Sequence, residues 1–204
     1  MGKVILLTGS PASGKSSLRA RLSLAFKDFV GVDYGQELLL MKEEEGQKLT
    51  YEQLRDGSAT VIQHRHVFDL DERVISRIEQ LRVTSTILLD SHAVTRETYG
   101  FRAIPFSSSQ LRRLAFDAII VLRCDPEITL QRIAIDAAGR RPVTTELARE
   151  HQSLQESIAL SYAIEAGCPI YVIDTTALDR EEVFRQASTI IEQLGASRSD
   201  PAVL

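Results

Sequence analysis

Residues 9–17 read Gly-Ser-Pro-Ala-Ser-Gly-Lys-Ser-Ser and follow directly on the apolar run Val4-Ile5-Leu6-Leu7. In the pattern GxxxxGK[ST], the two glycines, here Gly9 and Gly14, let the backbone curl until successive N–H groups point inward and cradle phosphates. A helix N-terminus just beyond adds its dipole to that anion site. Leu18, Leu22, Ala25 and Phe26 recur at helical spacing and supply the helix. This strand-loop-helix context separates a P-loop from a Gly/Ser turn that happens to contain Lys-Ser. The residues expected on ATP are Gly9, Ser10, Ala12, Ser13, Gly14, Lys15, Ser16 and Ser17. Lys15 would reach the β- and γ-phosphates, and the Ser16 hydroxyl would ligate the Mg2+ that rides on them.

Five short apolar runs, 3–8, 29–33, 86–90, 118–122 and 169–173, alternate with helical stretches. That alternation predicts an α/β fold with a parallel sheet covered on both faces. About fifty residues separate the second run from the third, far more than one crossover needs. Leu38-Leu39-Leu40-Met41, Val61-Ile62 and Val74-Ile75-Ile78-Leu81 make 34–85 a helical insert over one end of the sheet. A second irregularity, Asp136 to Thr145, has Gly139 and Pro142 breaking the helix around Arg140 and Arg141, and predicts a short lid over 136–146. The last helix is expected over about 179–194, ended by Gly195, with a disordered tail over 196–204. One domain over 1–195 is expected.

Composition narrows the partners. A net charge of −4 argues against a DNA-binding surface spread over the whole protein. The first strand starts at residue 3, which leaves no room for a signal peptide, and no apolar stretch is long enough to span a bilayer. Cys124 and Cys168 lack metal or redox spacing, and the histidines form no zinc pattern, so the expectation is a cytoplasmic protein with reduced thiols.

A P-loop serves GTPases, motor ATPases and small-molecule kinases alike, and the rest of the chain discriminates. No guanine-reading NKxD element is present, and the third strand ends in a single acid, Leu88-Leu89-Asp90, followed by Ser-His. Asp90 either holds a water on magnesium or caps a helix. A kinase must shield its transition state from water, and short arginine-bearing lids do so while neutralising the phosphoryl oxygens. Arg132, Arg140 and Arg141 have that pattern, against the alternative of a solvated basic loop.

These elements, with Val32-Asp-Tyr-Gly-Gln, Lys42-Glu-Glu-Glu-Gly46, Leu89-Asp-Ser-His-Ala-Val, Tyr99-Gly-Phe-Arg-Ala-Ile-Pro105 and Glu150-His-Gln, resemble the archaeal-type adenylate kinases. The resemblance runs from about residue 3 to 194 and implies a five-stranded parallel sheet in the order 2-3-1-4-5, with a nucleoside-monophosphate insert and a lid. It implies ATP as donor with Mg2+ held by Ser16 and Asp90, and AMP as the small phosphate acceptor. The monophosphate pocket would map onto Asp90, His92, Gly100, Phe101 and Pro105, with Gly35 after the second strand and Arg55 a candidate for the AMP phosphate. Homo-oligomers occur in that family. The chain departs from it at Asp33, where an uncharged polar residue is expected, and at Glu156, where an arginine is expected. Its adjacent lid arginines also replace a more spaced pair.

Asp33 bears on the chemistry. A phosphate acceptor is already anionic near neutral pH and attacks without a base, whereas a sugar or alcohol hydroxyl needs a carboxylate within hydrogen-bond reach. Asp33 can therefore be a helix cap, a contact to the acceptor's ribose or base, or a general base. For a dianionic acceptor Arg102 is favoured over Arg96 as the bidentate partner. His64-Arg-His66 is read as a solvated helix face or an acceptor contact, and Thr175-Thr176 follow the fifth strand where adenine is accommodated. Three functions compete: an ATP-dependent nucleoside monophosphate kinase, a hydroxyl kinase with Asp33 as base, and an ATPase switch acting on a macromolecular partner.

Overall fold

The computed structural model describes residues 1–50, 53, 64–97, 99–135 and 143–199. Within them the chain runs β1 (Val4–Gly9), α1 (Lys15–Ala25), β2 (Phe29–Asp33), α2 (Tyr34–Glu44), α3 (His64–Leu81) and β3 (Thr86–Asp90). A hairpin follows, β4 (Val94–Glu97) and β5 (Gly100–Ala103), then α4 (Ser108–Leu114), β6 (Ala118–Arg123), α5 (Pro126–Ile135), α6 (Thr145–Ala166), β7 (Ile170–Asp174) and α7 (Arg180–Gln193).

Five strands form one parallel sheet in the order β2-β3-β1-β6-β7. The five expected runs are these five strands, each displaced by at most a residue at its ends. Counted among themselves along the chain they stand 2-3-1-4-5. The numbering shifts only because the antiparallel hairpin β4-β5, absent from the sequence reading, lies between the third and fourth of them.

Alternation along the strands divides the core between the two faces. Val4 and Leu6 of β1, with Ile87, Leu89, Ile119 and Val121, pack beneath α2, α3, α4 and α6. Ile5 and Leu7, with Leu88, Ile120 and Leu122, pack beneath α1 and α7. The apolar run in α2 divides in the same way. Leu38 and Met41, three residues apart, are buried in the core, whereas Leu39 and Leu40 line a cavity.

Helix α3 returns from the insert and is tied down on both sides. Its Leu70, Val74, Ile75 and Ile78 are buried. Arg73 pairs with Glu44 of α2 at 2.6 Å, Arg77 with the buried Glu37, and Arg113 of α4 with Glu72 at 2.7 Å and Glu79 at 2.9 Å. Between these pairs lies a buried polar knot. Asp71 accepts from the Tyr34 hydroxyl and, at 2.9 Å, from the Gln110 side chain, whose own oxygen closes a capping box at Ser107.

Burial raises the Asp71 carboxyl above its ordinary range, against the lowering effect of its Tyr34 and Gln110 hydrogen bonds, and Glu72 adds to the rise. An acid raised in the folded state contributes most below its unfolded pKa, and that contribution is lost as pH rises through the folded value. Asp71→Asn is therefore expected to raise the melting temperature at pH 7, with the difference from wild type shrinking as pH falls toward the ordinary carboxylate range. Asp71→Leu should instead cost about 1–3 kcal/mol by leaving the Tyr34 and Gln110 donors unsatisfied. Thermal melts of both variants across pH 4–8 measure the two effects.

Of the expected tail over 196–204, Ser197 to Ser199 run against the exit of α1, and 200–204 lie outside the described residues. The Lys27 N–H donates to the Ser197 carbonyl at 3.0 Å, the Ser199 N–H donates to Ala25 at 2.8 Å, and Arg198 pairs with Glu192 while lying over the Phe26 ring. Backbone pairing and a cation over an aromatic face give this short segment a place. Among the described residues no helix is long and apolar enough to cross a membrane.

Candidate nucleotide and acceptor site

The site is built where β1, β2 and β3 end together. Gly9 closes β1 with φ +145°, Ala12 takes a left-handed conformation at φ 59°, and Gly14 caps α1 with φ +96°. The ammonium of Lys15 lies back over this loop, donating to the carbonyls of Gly9 at 2.8 Å and Ser10 at 3.0 Å. The hydroxyls of Ser10 and Ser13 are buried and make no hydrogen bond among the described residues. Buried hydroxyls without partners are costly unless something else satisfies them, and a phosphate oxygen would do so.

Beside the loop, β2 and β3 pair in parallel with Asp33 opposite Asp90, so two carboxylates leave adjacent strand ends together. Arg19 of α1 lies between them, its NH2 group 2.7 Å from Asp33 and its Nε 3.3 Å from Asp90. The second Asp33 oxygen accepts the Gln36 N–H at 3.0 Å and caps α2. The capping expected of Asp33 is thus present, with α2 beginning at Tyr34. Burial raises the Asp90 carboxyl, the Lys15 charge draws it back, Asp33 raises it further, and Arg19 lowers it.

A cavity of about 670 Å³ opens on this corner, lined by Ser16, Arg19, Asp33 and Gln36 at one end and by Leu39, Leu40 and Leu49 along its wall, with Glu43 and Lys48 at its margin. Ser16 and Arg19 stand three residues apart on α1, so one face of that helix presents both to the same space.

On the other side of the P-loop, Arg132 occupies the last turn of α5. Its guanidinium donates to the Thr175 carbonyl at 2.7 Å, to the Thr175 hydroxyl at 3.1 Å and to the Ala12 carbonyl at 3.5 Å. It joins the loop after β7 to the P-loop, where the sequence reading had grouped it with lid arginines. Arg140, Arg141 and Arg55 lie outside the described residues, as do most of 136–146 and the side chains of His64, Arg65 and His66.

Helix α6 carries Glu150-His-Gln within its length. Gln155 donates to the Thr8 hydroxyl at 2.8 Å and accepts the Val94 N–H at 3.2 Å, and His151 meets the Val94 carbonyl at 3.1 Å. Burial lowers the His151 pKa, so its ring is held neutral against the hairpin. Phe101 stacks beside that ring with centroids 5.1 Å apart, and Arg102 pairs with the buried Glu97 at 3.1 Å. Gly100, Phe101 and Arg102 thus belong to the hairpin packed on α6 and do not line the cavity, while Gly35 sits in the first turn of α2 and His92 is exposed after β3. Glu156 faces Arg123 at 4.0 Å, which also approaches Asp174 at 3.7 Å.

Sequence reasoning missed Arg19. The signal was available, since it follows Ser16 by three positions on a helix whose register the P-loop itself fixes.

A parallel sheet with a P-loop after its first strand, and a cavity outside the carboxyl ends of the neighbouring strands, defines a P-loop nucleotide-binding protein. The chain belongs to the AAA domain family AAA_17, whose profile matches residues 8–150. It is similar to the adenylate kinase of Thermococcus onnurineus, 27% identical over 173 residues that cover 84% of this chain and 85% of that one. The adenylate kinase of Methanopyrus kandleri is 24% identical over 95% of this chain and 100% of its own length. That of Pyrococcus abyssi is 26% identical over 85% of this chain and 87% of its own.

Proposed function

We propose that the chain is a cytoplasmic, ATP-dependent nucleoside monophosphate kinase, and in the first place an adenylate kinase that converts ATP and AMP into two ADP. The observation that carries this is the meeting of donor loop and acceptor cavity at one helix end. Ser16 belongs to the P-loop and also lines the cavity of about 670 Å³, whose leucines offer a flat base an apolar wall. The similarity to three archaeal adenylate kinases over most of their length supports the same reading.

The residues present fit a triphosphate with its metal. Partnerless Ser10 and Ser13 hydroxyls and the Lys15 ammonium suit phosphate oxygens. Ser16 and Asp90 together offer one hydroxyl and one carboxylate, the small hard-oxygen set Mg2+ uses when it keeps most of its waters. When bound, Mg2+ neutralises charge on the phosphates. The chain does the rest: the P-loop amides and Lys15 hold the donor, Arg132 fixes the loop after β7 against the P-loop, and Arg140 and Arg141 are assigned to neutralising the transferring group. Arg55 and His92 are assigned to the acceptor side. AMP supplies its own nucleophile, because its second phosphate ionisation falls at about 6.

The geometry bears on the hydroxyl-kinase alternative. Both Asp33 oxygens are engaged, one by the α2 N-terminus and one by Arg19, which supports a capping and positioning role over that of a base. Asp33→Asn is expected to retain AMP-dependent turnover. A general base would show a loss of about 10²–10⁴-fold in that variant.

The deciding experiment is a coupled phosphotransfer assay with Mg-ATP against AMP, CMP, UMP, GMP and the deoxynucleotides, with a control lacking acceptor. Rapid ADP formation with AMP supports the proposal. Silence across the panel with slow background hydrolysis would replace it with a hydroxyl acceptor or a macromolecular partner.

A further inference from the structure

We infer that Arg19 is the anchor for the acceptor's phosphate, so that the charge on the incoming monophosphate is met from the P-loop helix itself. The inference deepens the adenylate kinase reading and rests on it.

Among the described cations, Arg19 and Lys48 line the cavity, and Arg19 is the one that shares the helix face of Ser16. Lys48 is exposed at the margin. Arg102, the partner favoured from sequence, pairs with Glu97 on the hairpin and lies outside the lining. The Arg19 side chain is 20% exposed, partly desolvated yet reachable from the cavity. Asp33 and Asp90 grip it from two strand ends and fix the plane of the guanidinium. Nε is buried and makes no hydrogen bond among the described residues, since its 3.3 Å approach to Asp90 is an ion pair without hydrogen-bond alignment.

A guanidinium has five N–H donors, and two carboxylate contacts leave others to face the cavity. A planar fork held in this way suits the bidentate recognition of a phosphate. Its position beside Ser16 sets the acceptor phosphate next to the P-loop, which is where an in-line attack on the γ-phosphate must start. The opposing possibility is purely structural: Arg19 offsets the repulsion of two carboxylates that strand register forces side by side.

The test uses the full chain as Arg19→Gln, Arg19→Lys and the double variant Arg19→Gln/Asp33→Asn. The readouts are steady-state constants for AMP and ATP separately, and AMP binding by calorimetry without ATP. A phosphate anchor predicts that Arg19→Gln weakens AMP, in KM and in Kd, by about ten- to a hundredfold. The KM for ATP should stay near wild type. Arg19→Lys, which keeps a positive charge beside the two carboxylates, should fold and give a smaller loss, because the bidentate fork is gone. The double variant, relieved of one carboxylate, should not recover. Unchanged AMP affinity in Arg19→Gln, or recovery in the double variant, overturns the anchor while the adenylate kinase reading stands. A wild-type chain without AMP-dependent turnover overturns that reading and the anchor with it.

Discussion

A Lys15→Met chain is expected to lose at least about a thousandfold in AMP-dependent ADP formation, a deficit of roughly 4 kcal/mol in the activation barrier. In the structure the ammonium is held by the carbonyls of Gly9 and Ser10, so it already lies over the cradle where phosphates would stand. Charge on the transferring phosphoryl group spreads over its equatorial oxygens as the reaction proceeds, and a positive group fixed at that place stabilises the transition state more than the ground state. The loss should therefore fall on kcat, with the KM for AMP little changed, since the acceptor cavity is lined by other residues. Stability should fall by only about 1–2 kcal/mol, because the lost hydrogen bonds are partly solvated. Steady-state kinetics beside a thermal melt separate the two effects. A variant that kept a tenth of its activity would remove Lys15 from the chemistry.

How far the sequence spoke for the molecule depends on which physical rule each segment obeys. The buried parallel strands are short continuous apolar runs, as Val4 to Leu7, Ile87 to Leu89 and Ile119 to Leu122 show. Helix ends were legible where a side chain caps them, as Asp179 does for α7. The hairpin was not legible, because Val94-Thr-Arg-Glu and Gly100-Phe-Arg-Ala are short and polar. Their order comes from α6, through His151, Gln155 and Phe101, and not from their own pattern. The Ser197 to Ser199 segment was missed for the same reason: its partners are the backbone of Ala25 and Lys27, which no local signal announces.

The candidate site divides along the same line. The P-loop was complete in the sequence because its spacing is its function. Asp33 and Asp90 could each be singled out as acids at strand ends, but their pairing required the parallel register that sets them opposite one another. Arg19 belongs to both: its place on the Ser16 face of α1 follows from the P-loop spacing, whereas its contacts with Asp33 and Asp90 depend on the register and the cavity. Arg102 was favoured for its chemical type and its place beside the Tyr99-Gly-Phe loop, and neither says that a buried Glu97 on the same hairpin holds it.

The two glycines of the P-loop, paired in the motif, are expected to fail differently. At Gly9 a Cβ would stand 2.2 Å from the Leu122 carbonyl oxygen and 3.0 Å from its carbon, and φ is +145°. Gly9 is paired in register with Leu122, so the obstacle is backbone of the adjacent strand and cannot swing aside. Gly9→Ala must either open the β1-β6 contact or accept the overlap on top of a backbone strain of about 1–3 kcal/mol. A total above ~3 kcal/mol is a large part of an ordinary domain's stability and should lower the melting temperature by about 10 °C. ATP binding should fall with it, because the Gly9 carbonyl that holds Lys15 moves. At Gly14 a Cβ meets nothing within 4 Å, and only the left-handed φ of +96° opposes it. Gly14→Ala should cost about 1–2 kcal/mol, with the sheet intact. Melts and nucleotide titrations of the two variants decide the matter. Equal losses would mean that both glycines serve only the curl of the loop, whereas a larger loss at Gly9 assigns it to the close approach of two strands.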